Sequence, residues 1–174
     1  YEVFLVEKNP YLGGRVAQLN QYFPKLCPPT CGLEINFRRI KDNPRIKVLT
    51  MAEVEKVEGG PGNYSVAVKV KPRYVNENCT CCGACAEACG TQIPSEYDFG
   101  MQQIKAAYLP FAMAFPARYV IDPAIVKTED GQRVKAACAY DAVDLEMAPK
   151  TLALNVGAVV WATGWVPYDA KKMD

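Results

Sequence analysis

Cys79, Cys82, Cys85 and Cys89 are spaced C-x2-C-x2-C-x3-C, in the run Cys79-Thr-Cys-Cys-Gly-Ala-Cys-Ala-Glu-Ala-Cys89. Thiolates at this spacing suit a cubane [4Fe–4S] cluster, because a tight loop can wrap one cluster and present three sulfur ligands from nearly one turn of chain. Gly83 lets the backbone hug the cluster, and the alanines keep side chains out of its way. The chemistry expected here is single-electron transfer. Cys81, next to Cys82, reads as a bystander. Neighbouring cysteines crowded into one loop suit a cluster better than a disulfide framework, which points to a reducing, cytoplasmic compartment.

Cys27 and Cys31 form a second pair, in Cys-Pro-Pro-Thr-Cys. Three readings stand open for it: a redox-active dithiol beside a flavin, further cluster ligands, or loop cysteines without chemistry. There is no histidine anywhere in the chain. That removes imidazole ligands, histidine general bases and histidine triads. A Rieske centre and a His-ligated zinc are therefore excluded within these residues.

Glu7-Lys-Asn-Pro-Tyr-Leu-Gly13-Gly14-Arg15 carries a different chemistry. An acidic residue at the carboxyl end of a strand, here Glu7, accepts hydrogen bonds from a ribose hydroxyl pair. Gly13 and Gly14 let backbone N–H groups and a helix start approach a nucleotide. Lys8 reads as solvated. Arg15 reads either as a charge partner for a phosphate or flavin or as a surface arginine. In Val159-Val-Trp-Ala-Thr-Gly164, small residues Ala162, Thr163 and Gly164 close an expected buried strand and bring backbone close to a cofactor. Singly these are ordinary strand ends and turns. In this order, flanking a hairpin, they point to FAD.

The elements that would position these residues follow from periodicity and breakers. Residues 1–6 read as a buried strand, and a short helix is expected from Gly13-Gly14 to about Asn20. A second helix, Gly32 to Lys41, carries Leu33, Phe37 and Ile40 on a rough 3.6 period. Ile46 to Thr50 is a strand. Residues 52–58 and 63–71 form a hairpin turned at Gly59-Gly60-Pro61-Gly62, with Tyr64, Val66, Val68 and Val70 alternating. Pro72 opens a cysteine-rich insert that runs to Met147 and includes a helix from about Pro123 to Ala139. Strands over Thr151–Leu154 and Val156–Ala162 follow. The division is 1–71, partial FAD-binding domain; 72–147, iron–sulfur insert; 148–174, return strand.

Half of the 174 residues are apolar and 22% are charged, so the chain folds, and a net charge of +1 argues against nucleic-acid binding. No apolar run approaches the ~18–20 residues needed to span a bilayer. Tyr1 already sits in a strand, so the chain is expected to be a fragment of a longer protein.

The glycine and Ala-Thr-Gly signals resemble the flavoproteins with two dinucleotide-binding domains, the glutathione-reductase-like group. There a Gly-x-Gly-x-x-Gly turn precedes the acidic residue, a turn that would sit upstream of Tyr1. The combination with the cysteine insert resembles the A subunit of heterodisulfide reductase and its relative in the quinone-interacting membrane-bound oxidoreductase complex. The resemblance rests on Val6–Val16, Phe23–Cys31, Cys79–Cys89 and Gly157–Trp165. The segment Leu26-Cys-Pro-Pro-Thr-Cys-Gly-Leu-Glu-Ile-Asn36 looks closer to the quinone-interacting branch. The implied fold is α/β: a partial Rossmann-like, glutathione-reductase-type FAD domain with an inserted ferredoxin-like α+β segment. The implied function is electron transfer by an FAD and [4Fe–4S] protein working with other iron–sulfur or flavin subunits and a membrane quinone-reactive subunit. In that branch electrons pass between menaquinone and adenylylsulfate reductase.

Ferredoxins also bear on the ligands. In two-cluster ferredoxins the fourth cysteine of such a run serves the other cluster, and a remote Cys-Pro-x-x-Ala-Ile segment supplies the missing ligand. Cys138-Ala-Tyr-Asp-Ala-Val resembles that segment. The resemblance implies Cys79, Cys82, Cys85 and Cys138 as ligands, with Cys89 the alternative fourth. Gly90 and Ala139 depart from the pattern, standing where proline is usual. Two rival functions remain: a pyridine-nucleotide-dependent flavin disulfide reductase using Cys27 and Cys31, and a non-enzymatic ferredoxin-like docking scaffold.

Overall fold

The computed structural model describes residues 1–166, 168, 169, 172 and 173. Strand β1 (Val3–Glu7) pairs in parallel with β2 (Ile46–Thr50), from Val3 opposite Ile46 to Glu7 opposite Thr50. Parallel neighbours need a crossover, and α1 (Gly14–Ala17) and α2 (Thr30–Lys41) supply it. Gly13, at φ +106, is where α1 meets α2. A Cβ there would stand 3.1 Å from Ala17 Cβ and 3.2 Å from Leu33 Cδ1. Helix α1 stops after Ala17, short of the expected Asn20, and Gln18 turns its amide onto the Tyr97 carbonyl at 2.9 Å.

Strand β3 (Ala52–Gly60) and strand β4 (Asn63–Val70) form the expected hairpin across Pro61-Gly62. A side chain at Gly59 would force the turn to shift, since its Cβ would lie 2.2 Å from the Asn63 carbonyl oxygen. The third strand of this antiparallel sheet, β9 (Lys150–Val156), pairs along β4 from Val70 opposite Lys150 to Tyr64 opposite Val156. Residues 71–149 thus leave and re-enter the sheet at one point. Val66 and Val68 anchor its core with Ala52.

The intervening residues hold α3 (Ala84–Ala88), the ribbon β5–β6 (Gln92–Pro94, Gln103–Lys105) and the pair β7–β8 (Ala107–Tyr108, Val120–Ile121). Then come a 3-10 turn (Pro123–Ile125) and α4 (Glu129–Ala136). Their core contains Val75, Cys85, Cys89, Ile121, Ile125, Val134 and Val143. A second cluster joins this region to the first half of the chain: Tyr11, Tyr97 and Phe111 meet edge-on or stacked, and Phe115 stacks on Phe37 at 5.3 Å.

Two expectations need correction. The helix over 123–139 is broken in two, because each piece has its own cap. Asp122 Oδ1 accepts from Ala124 N at 2.8 Å, and Thr128 Oγ1 accepts from Gly131 N at 3.4 Å. The strand over 156–162 does not form. β4 has no residue beyond its turn to pair with, and Gly62 N instead closes on the Gly157 carbonyl at 2.9 Å. Residues 158–166 are irregular and mostly exposed, so Ala162, Thr163 and Gly164 do not end a buried strand. Finally, the chain is mixed α/β with small sheets and four helices, and its only parallel pairing among the described residues is β1–β2. The wider parallel sheet of a Rossmann unit is not among them.

Candidate functional site

Residues before the cysteine run and after Cys138 are stitched together. Val75 bridges Val143, Asn76 N donates to the Ala142 carbonyl at 2.8 Å, and Asp144 N donates to the Tyr74 carbonyl at 3.0 Å. This ladder delivers Cys138 beside Cys79, although α3 and α4 lie between them in sequence. One pocket results, lined by Cys79, Cys82, Cys85 and Cys138 together with Val75, Tyr119 and Val143. Two positive-φ residues shape its loop: Gly83 at +89, and Cys81 at +57, where a side chain is disfavoured. A Cβ on Gly83 would approach Tyr119 Oη at 3.6 Å.

Burial pushes the Cys85 thiol up to about 11, with further contributions from Cys79, Cys82 and Cys138. Burial and then Cys79 raise Cys81, and burial and the facing thiols raise Tyr119. A buried thiol such as Cys85 gives up its proton more readily to a cationic metal centre than to water. Among the described residues no group of three or more histidine, cysteine, aspartate or glutamate side chains is placed to hold a metal ion. The four cysteines share one pocket, and it is their residue type and spacing that suit a cubane whose irons each take one cysteine. The backbone N–H of Ala142 donates to Cys138 Sγ at 3.3 Å, a contact of the kind that tunes cluster potentials.

Cys89 faces elsewhere. It is 1% exposed and ends α3 in extended conformation, with Sγ 3.5 Å from the Thr91 carbonyl and 3.9 Å from Asp130 Oδ2. Asp130 also accepts from Gly90 N at 3.1 Å, from Thr91 N at 2.6 Å and from Thr91 Oγ1 at 2.5 Å, and it pairs with Arg133. The Thr91 hydroxyl first, then Arg133, hold its carboxyl well below the usual carboxylate range. Gly90 stands where proline is usual, and its N–H is used here. Thr128, Gly131, Val134 and Cys138 reproduce the spacing of Cys79, Cys82, Cys85 and Cys89, and α4 on the second run packs against α3 on the first. Three of the second run's four positions lack sulfur. At Gly131 even a Cβ would lie 2.3 Å from the Ile125 carbonyl oxygen.

The nucleotide-type residues are partly gathered. Glu7 ends β1, where Oε1 accepts from Asn9 N at 2.8 Å, and Lys8 is exposed. Gly13 is occupied by helix packing, whereas a side chain on Gly14 would meet nothing within 4 Å. Arg15 lies over the rings of Phe99 (5.9 Å) and Trp165 (5.6 Å), so it is neither a free surface charge nor remote from the Ala162–Gly164 segment. A strand-end carboxylate and a glycine with open space around it are groups of the kind a nucleotide site uses. Cys27 closes a bridge with Tyr22, and Cys31 is exposed in the first turn of α2. Neither lines the thiol pocket.

Thiols walling one pocket of an α/β chain mark an iron–sulfur protein, and the relatives agree. The chain is 40% identical to the iron–sulfur A subunit of the CoB–CoM heterodisulfide reductase of Methanocaldococcus jannaschii, over 98% of its own length and 26% of that protein. It is 35% identical to the A subunit of the ferredoxin:CoB–CoM heterodisulfide reductase of Methanosarcina acetivorans, covering 97% and 22%. A protein of Archaeoglobus profundus named as like the heterodisulfide reductase A subunit is 34% identical, covering 97% and 28%. Over nearly its whole length the chain is similar to heterodisulfide reductase A subunits, and it spans about a quarter of the length of the curated relatives it matches. No protein-family model matches it. No helix among the described residues is long and apolar enough to cross a membrane.

Proposed function

We propose that this chain is the cluster-bearing part of an oxidoreductase subunit that transfers electrons with FAD and one [4Fe–4S] cluster. The observation that carries the reading is the convergence of Cys79, Cys82, Cys85 and Cys138 on one pocket. Those four thiolates hold the cluster, and Cys89 does not. Val75, Val143 and Tyr119 exclude water from it, and the Ala142 N–H offsets charge on the Cys138 sulfur. Glu7 receives the ribose hydroxyls of the flavin's adenosine, Gly14 gives the nucleotide access to backbone, and Arg15 holds the Ala162–Gly164 segment close through Trp165. FAD exchanges electrons in pairs and a cluster exchanges them singly, so the two together interconvert the modes.

The protein works in a heterodisulfide-reductase-like complex beside other iron–sulfur and flavin subunits, in the cytoplasm. The Leu26–Asn36 segment favours the quinone-interacting branch, whose partners include adenylylsulfate reductase and a quinone-reactive membrane protein. The test is purification of the full-length protein under anaerobic conditions, with iron, sulfide and flavin counted per chain. Flavin together with an EPR-active [4Fe–4S] centre that is lost in Cys138→Ser is expected. Flavin-free protein, or a cluster indifferent to Cys138→Ser, overturns the corresponding half of the reading.

A further inference from the structure

Arg73 is a buried cation without a carboxylate. Its side chain is 6% exposed, and none of the ion pairs among the described residues includes it. Only neutral oxygens bind the guanidinium. Nη1 donates to the Arg118 carbonyl at 2.8 Å, and Nη2 donates to the Pro10 carbonyl and to Thr50 Oγ1, the latter at 3.1 Å. Burial, with Arg118 adding to it, lowers the guanidinium to about 10.

Burying an unpaired charge costs several kcal/mol even after relaxation, so buried cations in folded proteins have counter-charges. Tyr108, then Cys79 and Cys81, act favourably on Arg73. Val75, two residues on, and Tyr119, next to the Arg118 carbonyl that Arg73 binds, both line the thiol pocket with Cys79. Four thiolates around a [4Fe–4S] core of charge two plus leave a net negative charge, which thiols in the protonated state do not. Arg73 also reaches both halves of the chain. Pro10 belongs to the loop between Glu7 and Gly13, Thr50 ends β2, and Arg118 precedes β8 in the insert.

We infer that Arg73 is the counter-ion of the cluster, holding its potential up by a fixed buried charge and fastening the cluster loop to the nucleotide-side loop. The inference rests on the cluster assignment above. Net charge around a cluster is among the factors that set its potential. A nearby cation favours the more reduced, more negative state, so removing it must lower the midpoint.

The experiment is an EPR-monitored redox titration of the full-length, cluster-loaded protein, with iron counted in each sample. Arg73→Gln removes the charge. Thr50→Asp keeps Arg73 and its bonds to Pro10 and Arg118 but sets a carboxylate against the guanidinium. Both are expected to lower the midpoint at unchanged iron content, and Arg73→Lys is expected to stay nearest the wild type. If Arg73→Gln does not fold, Thr50→Asp decides alone. An unchanged midpoint in a folded, fully loaded Thr50→Asp or Arg73→Gln protein overturns the inference and leaves Arg73 a structural clamp. Wild-type protein without a cluster overturns the assignment of the thiol pocket instead, so the two failures are distinguishable.

Discussion

Cys89 and Cys138 compete for the role of fourth ligand, and removing the sulfur at each should have opposite results. Cys89 is 1% exposed among Val75, Ile125, Val134 and Val143, and its sulfur makes only long contacts with the Thr91 carbonyl and Asp130. Cys89→Ala deletes one methylene-sized apolar group, worth about 0.8 kcal/mol of transfer energy. The small void left behind adds about 24 cal/mol per Å³ that does not collapse. The expected loss is about 1–2 kcal/mol in total, read as a lower urea midpoint, with iron and the EPR signal of the reduced protein intact. Cys138→Ser changes far fewer packing contacts but removes a ligand, so cluster loss is expected without a comparable packing penalty. The assay is iron, sulfide and EPR on both full-length variants, beside urea unfolding of each. Cluster loss in Cys89→Ala combined with retention in Cys138→Ser would refute the geometric argument.

Gly131→Ala should destabilise by about 1–3 kcal/mol, because its Cβ meets backbone at 2.3 Å and the turn after Ile125 must move; denaturant midpoints measure it. Gly59→Ala should cost a similar ~1–3 kcal/mol through positive φ and the Asn63 carbonyl, seen as loss of sheet signal at lower urea. Asp130, its carboxyl held low by Thr91 and Arg133, contributes stability that is complete above the ordinary carboxylate range. That contribution falls away as pH drops through the lowered folded value, so Asp130→Asn should flatten the acid limb of a stability–pH curve; an unchanged acid limb sinks the assignment.

Alternation made the hairpin legible, since Tyr64, Val66, Val68 and Val70 could only have one buried face. Cysteine spacing made the thiol loop legible for the same reason: few other chemistries need it. What sequence reading lost were features that depend on partners. The apolar run through Val159 and Val160 reads as a strand, yet β4 offers it nothing beyond Tyr64. The span 123–139 reads as one helix, yet Asp122 and Thr128 each start their own. Asp130 and Arg73 look like ordinary surface charges until the fold buries them.

The pairing of Val70 with Lys150 has a consequence for engineering. The chain between them begins and ends on neighbouring residues of one sheet, so replacing it is expected to leave the β3–β4–β9 pairings in place, the sheet acting as host and residues 71–149 as the graft. The host's contribution is to orient the graft, through Tyr97 on the Ala17 carbonyl, Leu12 N on the Phe115 carbonyl and Arg73 on the Pro10 carbonyl. A foreign module placed at the same splice would keep the sheet and lose its alignment unless it carried these three contacts with it.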